Sequence, residues 1–78
     1  DPVYIGPGAT IDGAVVGPNV SVEAGATVRD AVVRDSIVYP HAHVEVSVLS
    51  DSIVGRSAVV EAVTGTVNIG DHSEVTGG

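Results

Sequence analysis

These 78 residues contain no cysteine, methionine, tryptophan, phenylalanine or lysine, and Leu49 is the only leucine. The lack of cysteine removes disulfides and thiolate metal sites. With no lysine, Arg29, Arg34 and Arg56 stand alone against ten carboxylates, for a formal charge of −7. That balance argues against nucleic acid and against an anionic membrane as partners. It reads first as a solubilising surface and, more sharply, as adaptation to a salt-rich interior. No run approaches the length of a membrane span and none resembles a signal peptide, so a cytoplasmic location is expected. Tyr4 and Tyr39 are the only aromatics. The large apolar content is thus nearly all Val and Ile, which are stiff at χ1 and suit a pleated strand. Ten glycines and four prolines interrupt the runs too often for helices.

What is present is a rhythm. Aliphatic residues fall at Ile5, Ile11, Val16, Val22, Val28, Val33, Val38, Val44, Leu49, Val54 and Val60, in steps of six or five. Every third position closes a longer cycle. One column is Ile5, Val22, Val38 and Val54; a second is Ile11, Val28, Val44 and Val60; a third is Val16, Val33 and Leu49, continued by Ile69. Three columns with one cycle describe a three-sided coil whose short strands stack ~4.8 Å apart. Companion positions four residues on are Ala9, Ala26, Ala42 and Ala58 for the first column. They are Val15, Val32 and Val48 for the second, then Thr64, and Val20, Ile37 and Ile53 for the third. All are expected to point inward.

The corners follow from backbone stereochemistry. In six-residue units the corner residue is Gly8, Asn19, Gly25, His41, Ser57 or His72, several of them types that tolerate positive φ. In five-residue units it is Gly13, Asp30, Asp35 or Asp51. Val46 breaks this rule, which predicts local distortion between Val44 and Val48, or a contact surface. Beyond Val60 the rhythm fails, which predicts a protruding loop at about 63–68. The hexapeptide then resumes at Ile69 and reaches Val75 on the first face. Residues 1–78 are expected to form a single domain.

On these residues the chain resembles the hexapeptide-repeat, left-handed parallel β-helix family over nearly its whole length. The fold class implied is all-β, with about four to five triangular coils. The left hand is implied by the resemblance alone, since the general preference of crossovers would give the opposite. The segments Pro2-Val3-Tyr4-Ile5-Gly6, Asp35-Ser36-Ile37-Val38, Asp51-Ser52-Ile53-Val54-Gly55 and Ile69-Gly70-Asp71-His72-Ser73-Glu74-Val75 are closer still. They resemble the C-terminal β-helix of sugar-1-phosphate nucleotidyltransferases, long-form glucose-1-phosphate thymidylyltransferases in particular. The resemblance implies a structural, oligomerising and regulatory domain of a larger enzyme. Catalysis and Mg²⁺ would belong to an N-terminal domain, the one partner in the same chain. Neither a Gly-rich phosphate loop nor a lysine for a phosphate is present here. No catalytic residue and no cofactor is therefore assigned to these residues, and a homo-oligomer, dimer or trimer, is expected.

Other chemistry was weighed on named residues. His41, His43 and His72 are the candidates for a catalytic base or a metal ligand. They would serve a hexapeptide-repeat acyltransferase with an inter-subunit active site or, less well, a γ-type carbonic anhydrase, whose ligand spacing does not appear. The simpler reading makes His41 and His72 corner residues and His43 a solvated strand position. Asp30, Asp35 and Asp51 read as turn formers, not a calcium ladder, because calcium needs six or more converging oxygens. Tyr39 with Val46, Val59 and Val63 is the candidate apolar interface.

Overall fold

A computed structural model describes residues 3–77, which form strands and turns without a helix. The chain winds as a parallel β-solenoid of about five turns, and its three sheets stand in a triangular arrangement. The first sheet stacks β1 (Val3–Ile5), β4 (Val20–Val22), β7 (Ser36–Val38), β10 (Ile53–Val54) and β13 (Asn68–Ile69) in that order. The second stacks β2 (Thr10–Asp12), β5 (Thr27–Arg29), β8 (His43–Glu45), β11 (Val59–Glu61) and β14 (Glu74–Thr76). The third stacks β3 (Val15–Val16), β6 (Val32–Arg34), β9 (Val48–Ser50) and β12 (Thr64–Gly65).

The columns meet in register. Ile5, Val22, Val38 and Val54 stand one above another, as do Ile11, Val28, Val44 and Val60, and Val16, Val33 and Leu49. Val22, Val28, Val33, Val38, Val44, Val54 and Val60 are fully buried, with Leu49 among them. The alanine ladder also lies inside: Ala26, Ala42 and Ala58 are buried, and Ala9 packs against them. A tube this narrow leaves room for a β-branched side chain beside a methyl group and little else.

The second companion set and all but Val20 of the third point the other way. Val15, Val32, Val48, Ile37 and Ile53 are exposed. Side chains alternate across a strand, so the residue before an inward Val33 or Val38 must face out. In the first set, and at Val20 in the third, the inward companion lies four residues after its column. For the others the inward slots belong to Ala14, Ala31, Ser47 and Val63 on the third sheet, and to Ser36, Ser52 and Val67 on the first. Three of these are serines, each satisfied inside. The Ser36 hydroxyl donates to the Arg34 carbonyl and accepts from Ser52 N–H at 3.0 Å. Ser52 does the same with the Ser50 carbonyl and Val67 N–H, and Ser47 with the Glu45 carbonyl and Val63 N–H.

The segment 63–68 is not a protruding loop. Thr64 and Gly65 pair with Val48 and Leu49, so glycine occupies the third-column slot that Ile69 was expected to fill. Ile69 instead stands above Val54 on the first sheet, and Val75 above Val60 on the second rather than on the first. A search for aliphatic residues passes over a column whose last member has no side chain. The corners, by contrast, stand where the spacing puts them. Gly8, Asn19, Gly25, His41, Ser57 and His72 all have positive φ, as do Gly13, Asp30, Asp35 and Asp51. Val46 takes the same conformation at φ 51°, and pairing continues on either side of it without distortion.

Candidate functional site

With the interior filled, any chemistry of this chain lies on its outer faces and corners. The outer face of the second sheet carries the charge. Asp12, Arg29, Glu45 and Glu61 stand in register there. Arg29 lies 3.6 Å from Asp12 and 3.4 Å from Glu45, and His43 Nε2 lies 3.5 Å from Glu45. Arg29 and Asp12 are well hydrated and Glu45 partly so, so each Arg29 ion pair is worth only about 0–1 kcal/mol.

The three histidines are held apart by the topology. His41 and His72 belong to one corner column with Gly8, Gly25 and Ser57, and Ser57 lies between them. The imidazole of His41 leans over the turn below: a Cβ at Gly25 would lie 2.6 Å from His41 Nδ1. His43 faces out from β8, on the second sheet. Among the described residues no three His, Cys, Asp or Glu side chains gather as a metal site would require. The aspartates divide between corners. Asp30 stacks on Gly13, whereas Asp35 and Asp51 share a column with Asn19, whose amide nitrogen donates to Asp35 at 2.9 Å.

The proposed interface residues lie on different surfaces. Tyr39, half-exposed, follows β7 at the first corner, and Val46 sits at the second corner. Val59 faces out from the second sheet in register with His43 and Glu74, and Val63 packs inward against the core. The apolar surface that the fold does assemble is elsewhere. On the third sheet Val15, Val32 and Val48 form an outward ladder, 62%, 39% and 49% exposed, edged by Val46 at 59%. On the first sheet Tyr4, Ser21, Ile37 and Ile53 form a second outward row, with a shallow groove over Ser21 between Tyr4 and Ile37.

The chain matches no family model, no curated protein and no solved structure. No helix of the described residues is long and apolar enough to cross a membrane. The two apolar rows are the surface features that call for a functional account, because contiguous exposed apolar patches commonly mark partners. Their signal was present in the pairs Val15-Val16, Val32-Val33 and Val48-Leu49. In a strand, one member of such a pair must face outward.

Proposed function

We propose that this chain is a rigid scaffold and assembly module. The observation that carries the reading is the stacking of aliphatic residues outward as well as inward: two of the three faces of the prism present apolar rows to solvent. A solenoid holds such rows at fixed spacing, because each turn is clamped by pairing to the turns above and below.

The finer reading is that the module serves a sugar-1-phosphate nucleotidyltransferase. Its support is the likeness of the segments around Tyr4, Ile37, Ile53 and 69–75 to the β-helix of those enzymes. The parent would join a nucleoside triphosphate to a sugar 1-phosphate and release pyrophosphate. Mg²⁺ and basic residues of an N-terminal domain would position the phosphates. None of the carboxylates described above is assigned to that metal. In this reading the prism pairs subunits and supports the catalytic domain, in the cytoplasm.

Sequencing the native transcript upstream of Asp1 tests the proposal. An α/β domain with a Gly-rich phosphate loop is the expected result, and its purified product should release pyrophosphate from a nucleoside triphosphate and a sugar 1-phosphate. A short transcript with no such domain, encoding a chain that binds coenzyme A, would overturn it in favour of an acyltransferase.

A further inference from the structure

We infer that the valine ladder of the third sheet is a self-association surface, on which a second copy of this chain sits about a two-fold axis through Val32. This deepens the assembly reading above and rests on it.

Charge selects the occupant. Two copies at −7 each repel, and approach most easily through a face whose strands carry no outward carboxylate. The outer face of the third sheet's strands is such a face, with Asp30 at its edge. Its outward positions are Val15 and Gly17 on the first turn, Val32 and Arg34 on the second, Val48 and Ser50 on the third, and Thr64 on the fourth. The second sheet, with its run of Asp12, Glu45 and Glu61, is not.

Register selects the symmetry. A dimer of identical faces places residue i on j and j on i. Val32 is the middle rung of the ladder, with Val15 below and Val48 above. Within its own turn it is flanked two residues away by Asp30 at one edge and Arg34 at the other. A two-fold axis lying in the interface, parallel to the stack and passing over Val32, lays Val15, Val32 and Val48 each on its twin. Arg34 then meets the partner's Asp30, and Asp30 the partner's Arg34. Among the described residues neither Asp30 nor Arg34 has an ion-pair partner within its own copy. One axis thus satisfies the apolar and charged matches together.

The extent of the face sets the strength. Five residue positions by three rungs span about 13 Å by 10 Å at strand spacing. A pair built on it buries a few hundred Å², well below the roughly 1,200 Å² of a standard stable interface. The dimer is therefore weak.

Sedimentation equilibrium from micromolar to millimolar chain tests this. The wild-type mass should rise from one copy towards two. Val32→Asp places two carboxylates face to face on the axis and should shift the midpoint at least tenfold. Its fold is checked by circular dichroism, and Val32→Thr, which keeps the shape and the strand preference, should weaken the pair to a lesser degree. Arg34→Glu should weaken it too. Adding Asp30→Asn to Arg34→Glu should restore association, because the opposed like charges are gone, whereas adding Glu61→Gln on the second sheet should not. If the wild type pairs but Val32→Asp and Arg34→Glu pair equally well, this face is wrong while the assembly reading stands. A limiting mass of three copies overturns the two-fold axis. A wild type that stays monomeric throughout overturns both.

Discussion

Val46 shows how a corner can be imposed on a residue unsuited to it. A β-branched side chain at φ 51° is an outlier that neighbouring structure must enforce, at a cost of about 1–3 kcal/mol. The enforcement is visible: Val46 N–H donates to the Arg29 carbonyl at 3.0 Å, and Val48 N–H to the Val63 carbonyl at 2.9 Å. Asn tolerates this conformation far better. Val46→Asn should stabilise the fold by about 1 kcal/mol, raising Tm by roughly 4–8 °C in a chain of this size. A thermal melt followed by circular dichroism checks it, and a lower Tm would show that the valine is not strained. From its residue type alone Val46 is conspicuous among Gly and Asp. That its corner keeps an undistorted shape is decided by the rungs on either side, which no local reading contains.

At the scale of the strand, the five-residue units differ from the six-residue ones in a way spacing alone conceals. The first sheet receives its inward companion as serine at Ser36 and Ser52, and each hydroxyl accepts a backbone N–H from the turn above. Ser52→Ala would leave Val67 N–H without an acceptor in a buried place, at a cost of about 1–3 kcal/mol. Chemical denaturation of the variant measures this, with Ser21→Ala, at a half-buried outward position, as the control expected to change little. Equal midpoints would mean that the hydroxyl is dispensable. The columns, the alanine ladder and the corner positions were legible because each repeats a residue type at a fixed interval. The outward valines were not, because an offset that holds for the six-residue units was carried onto the five-residue ones, where it lands on the opposite face. For the same reason the outward row of Val15, Val32 and Val48 was not legible, and of the candidate interface residues Tyr39, Val46, Val59 and Val63 only Val46 borders it. Gly65 escaped because an inward position was filled by a residue with nothing to point.

The whole molecule is a stack about 28 Å long and 20 Å across, held together chiefly by contacts between successive turns. At its lower end Val3, Ile5 and Ile11 belong to the inward set, yet they are 42%, 43% and 37% exposed because, among the described residues, no turn lies beneath them. In a stack where each layer is stabilised by its neighbours, the end layer has one neighbour and the middle layers have two. Loss of structure should therefore begin at this end and travel along the axis as a peeling front. Native-state hydrogen exchange would display it as a gradient. The amides of Gly6 and Thr10, bonded to the Val22 and Ala26 carbonyls, should exchange well before those of Tyr39 and His43, bonded to Val54 and Ala58. Uniform protection along the axis would mean that the turns open together. If the gradient holds, whatever is joined to the chain before Val3 governs how long the rest endures: a tethered neighbour that covers Ile5 and Ile11 would act as a stopper, and its removal would start the unwinding.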